Sequence, residues 1–468
     1  MLRKSRVALA VQGHSVIRNW KSMISEQTLM VHVFLPGSTQ PVPAGKLQLQ
    51  EEGIELRASR FVYGLKYLKR NGAIEIDPVG LGMLQGQQVA GQALFAQESA
   101  LFGGIRDAAP DAWGRRVIEA KKRVPANALP ESVYLLEAGP NRTGALDITP
   151  DGEPARELAA STDIKSLGYL LDAAERIENG LPLPANLHGI FDAGSSMGGM
   201  RPKATVVIED GSHWLAKFSS RSDRGFCYPA IEHATLRLAH AAGLHVPETR
   251  LEEIGTGRFA MLIKRFDRVG AGDNTGRRHF VSALTLMNIH EMSSIESSYA
   301  ELADAMRRHL DAASLADDLK ELYRRMVFNI LVNNDDDHLR NHGFVLMESP
   351  EQTPVRGAQE PQSTVNLAWR ISPLYDVVPR PVHSHYRRLH LGVGALGKEA
   401  ALVNALSWCE RFGLNRVDAI AEIDSIWRVV REWRNHFEEH GVAGNDIDAV
   451  SSAFLHARYL GGDEAGIC

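Results

Sequence analysis

NILVNNDDDHLRNHGF, residues Asn329–Phe344, passes from an apolar run into a cluster of acids and amides, then into a short apolar strand. Acids and amides after a helix are common turn-formers. What distinguishes this cluster is its spacing. Asp336 and Asn341 lie five positions apart, so one carboxylate can meet a hydroxyl proton while one amide oxygen holds a metal. The run before it, Asp318–Val332, carries Leu319, Leu322, Met326, Ile330 and Leu331 at helical spacing, the stripe of a buried helix. After it, Gly343–Met347 reads as a strand and Pro350–Val365 as an exposed polar insertion. Trp369–Ile371 restarts a strand and runs into SPLYDV. Asp376 therefore stands just after a strand and behind the acidic loop, where a second metal ligand belongs.

Upstream, the period changes to two. Val31, Val33 and Leu35 alternate, as do Leu47 and Leu49, Ile54 and Leu56, and Phe61 and Tyr63. Pro36-Gly37 and Glu52-Gly53 punctuate them, which predicts a small antiparallel sheet with one buried face. Residues 1–28 carry no clear pattern and read as a loose extension. Phe102–Lys121 begins as a turn and becomes a helix on Trp113, Val117 and Ile118. Ala138–Glu157, rich in Gly, Pro and polar residues, reads as a linker or long surface connection. Asp163–Asn179 is helical by its leucine spacing and stops at Gly180.

GSSMGGM at Gly194–Met200 then precedes RPKATVVIEDGSHWLAKF. Ala204–Ile208 is a strand, Asp210-Gly211 a hairpin turn and Trp214–Phe218 the return strand. Glycines let a backbone approach phosphate, and successive N–H groups can form an anion nest. The sequence has neither G-x-x-x-x-G-K-[ST] nor G-x-G-x-x-G, so a P-loop and a Rossmann site are unsupported. Lys217 lies between apolar residues on a strand, the setting of a kinase β3 lysine. Glu232, in the first turn of a helix at Pro229–Ala242, is placed to pair with it. Phe259–Phe266 is an apolar strand where the chain would cross between lobes. Beyond it, Ser282–Met287, Tyr299–Leu310, Glu399–Arg411 and Val417–Glu438 read as helices.

FGGIRDAAPDAWGRR, GSSMGGMRPKA, LAKF, EHATLRLAHAAGLHVPET, LIKRFDR, NNDDDHLRNHGF and SPLYDVVP, in that order from Phe102 to Pro379, together resemble the HipA toxin kinases of type II toxin–antitoxin modules. The resemblance implies an α+β, two-lobed protein-kinase-like fold with an extra β-rich N-terminal subdomain and an all-helical C-terminal lobe. The expected division is 1–155 for that subdomain, 156–268 for the kinase N-lobe and 269–468 for the helical lobe. It implies ATP and Mg2+ as cofactors and transfer of phosphate to a serine or threonine hydroxyl of a protein, aminoacyl-tRNA synthetases being the known kind of target. It further implies a HipB-like helix-turn-helix antitoxin as partner, with DNA reached only through that partner.

Carried over by position, Asp336 is the catalytic base and Asn341 and Asp376 are the magnesium ligands. Ser195, Ser196, Met197, Gly198, Gly199, Lys203, Lys217, Glu232, Lys264, Phe266 and His338 surround the nucleotide. Ser196 is the autophosphorylated serine, whose modification would expel the loop. The chain departs from the family pattern in two places. GGMRPK stands where a glutamine-glutamate pair often precedes the lysine, which leaves the role of Lys203 open. Ser195 adjoins Ser196, which leaves open which serine is modified.

The 468 residues carry a net charge of −5, so nothing global recruits nucleic acid or an anionic membrane. Cys227, Cys409 and Cys468 show no C-x-x-C spacing and fit a reducing compartment. No run approaches the roughly 18 apolar residues of a membrane span. A cytoplasmic protein without a membrane partner is expected. Two other readings stand beside the kinase: an idle corepressor scaffold on antitoxin-bound DNA, and a small-molecule kinase on the same fold. The intact Lys217, Asp336, Asn341 and Asp376 set argues against the first, and the bulky N-terminal subdomain against the second.

Overall fold

In the computed structural model, the described residues are 24–83, 91–156, 162–196, 198–221, 223, 225–255, 257–348, 367–384 and 386–466. Met197, Cys468 and the expected insertion at Pro350–Val365 lie outside them.

The alternating N-terminal segments form β1 (Ile24–Phe34), β2 (Pro41–Glu52) and β3 (Glu55–Tyr63). With β4 (Leu94–Phe95) and β5 (Leu146–Pro150) they make an antiparallel sheet in the order β4-β3-β2-β1-β5. Leu29, Val31, Val33, Leu47, Leu49, Phe61 and Ile148 are all buried, as the period of two requires. Gly45 is obligatory here. A Cβ on it would stand 2.5 Å from the Phe61 ring and 2.3 Å from the Val62 carbonyl. The strand begins at Ile24, so the last residues of the expected extension belong to the sheet.

The expected linker at Ala138–Glu157 is corrected by β5, which lies against β1 in the core. Its polar residues look solvent-facing in sequence but are buried with partners. Asp147 accepts from Arg156 at 2.7 Å, and Thr149 meets His32 at 3.0 Å. Gly144 N–H donates to Asp267 at 2.8 Å, so the segment is fastened to the crossing between lobes.

A second antiparallel sheet has the order β6 (Lys203–Val207), β7 (His213–Phe218), β9 (Arg258–Lys264), β8 (Thr249–Gly255). One face packs Ala204, Val206, Trp214, Ala216 and Leu262 onto the helices α1 (Ala112–Lys122), α2 (Leu167–Glu178) and α3 (Gly189–Gly194). The opposite face meets α4 (Tyr228–Ala241). Because strand side chains alternate, burying Trp214 and Ala216 on the first face sends Lys217 to the second, toward α4.

The C-terminal region is helical around α5 (Tyr299–His309) and α6 (Leu315–Val332). A capping box between Ser298 and Glu301 starts α5 by satisfying its first N–H groups. The stripe expected on α6 is wholly buried. Asn333 ends that helix in the left-handed conformation, φ +51°. The region also carries the two-residue strands β10 (Arg268–Val269) and β11 (Gly276–Arg277), and a sheet of β12 (Phe280–Ser282), β13 (Gly343–Glu348) and β14 (Leu367–Ile371). Two expected helices are shorter than their periodicity. Glu399–Arg411 keeps α-helix only at Leu402–Ser407, then a 3-10 turn at Cys409–Phe412. Val417–Glu438 breaks into α7 (Arg416–Val430) and α8 (Trp433–Glu439), since Trp433 must turn to stack on Phe454 at 4.0 Å. Among the described residues, no helix is long and apolar enough to cross a membrane.

Candidate active site

A cleft of about 470 Å³ opens between the second sheet and the helical region. Its walls include Gly198, Gly199, Lys203 and Lys217 from the first side, Lys264 and Phe266 from the crossing, and His338, Asn341 and Asp376 from the second. Gly198 and Asp376, 178 positions apart in sequence, thus face one space.

At its floor, Lys217 Nζ lies 2.5 Å from Glu232 Oε1 and 2.9 Å from Asp376 Oδ1. The pairing expected from sequence between strand lysine and helix glutamate is therefore present, with Asp376 as a third member. Burial alone would lower Lys217, but Asp376 and Glu232 outweigh it and hold the ammonium well above its ordinary range. Burial would raise Asp376, yet Lys217 and then Lys203 hold it well below the usual carboxylate range. Glu232, fully enclosed, is raised by burial, and Lys217 offsets only part of this. Asp376 sits at φ +60°, a conformation costly for a non-glycine residue. Such an outlier persists where the surroundings over-determine it, and here Lys217 and the buried neighbours Val377 and Val378 fix it.

Asn341 lies in a 3-10 turn, Leu339–Asn341, directly after the acidic cluster. Its Nδ2 donates to the Asp336 carbonyl at 2.8 Å, which commits the nitrogen end of the amide to the loop. The oxygen end accepts from no described donor. An amide oxygen and a carboxylate on one cleft wall are hard donors of the kind magnesium takes alongside phosphate oxygens, so Asn341 and Asp376 fit that ion.

Asp336 is not among the residues that line the cleft. Its side chain is 48% exposed, and Oδ2 accepts from Arg380 Nη2 at 2.6 Å. Arg380 also reaches Asp335 at 3.1 Å. Asp337, next in the chain, has the opposite environment. It is fully buried, accepting from Tyr299 O–H and from the His390 N–H, both at 2.6 Å. Burial first of all pushes its carboxyl up to about 7. The three consecutive aspartates are thus one structural and two exposed, a division that spacing could not reveal.

The Gly/Ser segment is divided in the same way. Gly198 and Gly199 line the cleft, whereas Ser195 and Ser196 are buried at the end of α3. They do not form an open loop over phosphates, a correction to the expectation for these two residues. Ser195 Oγ donates to the Ala138 carbonyl at 3.1 Å, while Ser196 Oγ has no partner among the described residues. Gly199 is clamped from α1. Its N–H donates to Asp111 at 3.2 Å, and its carbonyl accepts from Trp113 N–H at 2.9 Å. Asp107, Asp111, Arg340 and Tyr375 also line the cleft and were not anticipated. The motif FGGIRDAAPDAWGRR contained the first two, but nothing local marks a turn acid as facing a site across the fold.

A family model described as the HipA-like C-terminal domain matches residues 195–433, just over half of the chain. The chain belongs to the HipA-like family. Two curated relatives carry the name "Putative kinase". That of Haemophilus influenzae is 27% identical over 183 residues, 35% of this chain and 51% of its own length. Y4dM of Sinorhizobium fredii is 28% identical over 179 residues, 36% of this chain and 37% of its own. The chain thus spans about half the length of the first and less of the second. A chain from the Shewanella oneidensis MR-1 toxin–antitoxin complex of HipA, HipB and operator DNA superposes with a TM-score of 0.59. The likeness covers 92% of this HipA-like chain and 95% of that one at 15% identity, and it speaks for the fold.

Proposed function

We propose that this HipA-like protein is an ATP-dependent serine/threonine protein kinase. The observation that carries the reading is the Glu232–Lys217–Asp376 chain of ion pairs at the floor of the cleft, with Asn341 beside it. Phosphoryl transfer asks chiefly for positioning and charge stabilisation. Lys217 is a cation held at fixed position, suited to the α- and β-phosphates. Asn341 and Asp376 would hold Mg2+, which supplies charge neutralisation when bound. Adenine would lie against the Lys264 to Phe266 backbone, where the Lys264 and Arg265 N–H groups already donate to the Glu248 and His213 carbonyls and the Phe266 N–H is left for the base, and Gly198 and Gly199 allow close approach of the phosphates. Asp336 orients the acceptor hydroxyl and takes its proton. Labelling with γ-phosphate-labelled ATP, using purified protein and a host lysate followed by phosphosite mapping, tests this directly. Phosphate found only on a small molecule would favour the alternative kinase on the same fold. No label anywhere would favour the corepressor scaffold.

A helix-turn-helix partner of HipB type belongs to the same proposal, by analogy with the Shewanella complex, and so does an acceptor of the aminoacyl-tRNA synthetase kind. Copurification with the product of the neighbouring reading frame tests the partner.

Lys203 is a second phosphate cation in this scheme. It is buried next to Gly199, where an added Cβ would lie 2.4 Å from its Nζ. Burial, and then the charge of Lys217, push it down to about 8. Above that pH the free protein has lost this charge, and binding a polyanion must draw the proton back. Affinity for MgATP should then fall as pH rises through 8, by up to about tenfold per unit. Calorimetry in two buffers of different ionisation enthalpy reads the proton uptake directly. Unchanged affinity from pH 7 to 9.5 would remove Lys203 from the phosphate site.

Self-inactivation is proposed at Ser196 rather than Ser195, because the Ser195 hydroxyl is already engaged and, among the described residues, that of Ser196 is not. Phosphate adds up to about two negative charges to a residue only 1% exposed, so the segment must leave its seat. The phosphorylated fraction, separated from the rest, is expected to lose MgATP binding. Full binding by that fraction, or phosphate on Ser195 alone, would overturn the switch.

A further inference from the structure

We propose that Arg380 is the positioning residue of the catalytic carboxylate, holding Asp336 in the orientation that receives the acceptor hydroxyl. The inference rests on the kinase reading and on Asp336 as its base. Three observations carry it. Arg380 spans two acids, with Nε 3.1 Å from Asp335 and Nη2 2.6 Å from Asp336. Its fork is therefore fixed at two points, which a lysine cannot imitate. The contact uses Asp336 Oδ2, and no described donor reaches Oδ1, so one oxygen is anchored and the other is left for a hydroxyl.

The third observation is the mounting of Arg380 itself. Its N–H donates to the Asn333 carbonyl at 3.1 Å, and its own carbonyl accepts from Asn333 Nδ2 at 2.5 Å. Asn333 is the left-handed residue that ends α6, so the arginine is fixed to the base of the loop it steadies. Four positions earlier the same segment carries Asp376. Between them, Val377 and Val378 are buried and Pro379 restricts the backbone. One short strut thus places a metal ligand at one end and the holder of the base at the other. An exposed carboxylate without such a holder samples several rotamers, most of them unproductive. Misplacement on the scale of 1 Å is enough to cost about 100-fold in rate.

The test uses the full chain with γ-labelled MgATP, measuring single-turnover self-labelling, nucleotide affinity by calorimetry and thermal melting. Arg380→Ala should lower the transfer rate about 10- to 100-fold while nucleotide affinity stays within twofold. Arg380→Lys should recover little, since it keeps the charge but not the bridge. In an Asp336→Asn background, Arg380→Ala should add no further loss, because it acts through that carboxylate. Full activity in Arg380→Ala, full rescue by Arg380→Lys, or additive losses in the double variant would each overturn the proposal. If Asp336→Asn alone transfers phosphate normally, the base assignment fails instead, and the two failures are told apart. Should Arg380→Ala not fold, Arg380→Gln serves in the same measurements.

Discussion

Asp336→Asn is expected to bind MgATP like the parent and to lose phosphoryl transfer by about 10²–10⁴-fold. The substitution is nearly isosteric, and the side chain is about half exposed, so the fold loses little. The backbone tie from Asn341 to the residue 336 carbonyl does not involve the altered group, so Asn341, the proposed metal donor, keeps its place. What is lost is the acceptor for the hydroxyl proton. The neighbours serve as controls with different expected outcomes. Asp335→Asn should retain most activity, since Asp335 contributes only one of the two anchors of Arg380. Asp337→Asn should damage stability rather than chemistry alone, because both of its oxygens accept from buried donors and an amide would turn one donor against another. Labelling rates, calorimetry and melting curves separate the three. Parent-like labelling by Asp336→Asn would refute the assignment, and its loss in Asp335→Asn instead would move the base by one residue.

Asp376→Ala is expected to abolish detectable transfer, by about 10³-fold or more, and to weaken nucleotide binding far more with magnesium than without it. Removing one preorganised electrostatic group from a transition-state site typically costs about 10²–10³-fold, and Asp376 serves twice. It would be a metal donor in the proposed site, and it is one of the two carboxylates holding Lys217. Without it Lys217 keeps Glu232 at 2.5 Å, so the lysine remains paired and the sheet should stay folded. Glu232→Ala differs, since it leaves the ammonium with Asp376 alone, whose side chain is 42% exposed against 1% for Glu232, and it should cost more stability. Titrations of ATP with and without magnesium, on parent and variant, decide the point. Equal affinities in magnesium would reduce Asp376 to a turn residue.

These expectations draw on two different sources of information. Local chemistry was legible in the chain. The period of two in β1 to β3, the stripe on α6 and the hairpin at Asp210-Gly211 each follow from how side chains alternate along a strand or wind round a helix. Asp336, Asn341, Asp376, Lys217 and Glu232 could be singled out because each stands at a chemically meaningful place relative to its own element. The buried strand β5 was missed because Asp147 and Thr149 break its apolar pattern, and their partners, Arg156 beyond the strand and His32 on β1, are met only in the folded chain. Which aspartate of three is buried, that the Ser195 hydroxyl is engaged, and that Arg380 grips Asp335 and Asp336 were settled only in three dimensions. Spacing along a chain records which side chains share a face. It does not record what another segment brings to that face, and burial and charge pairing, which fix the state of each carboxylate, depend on that second surface.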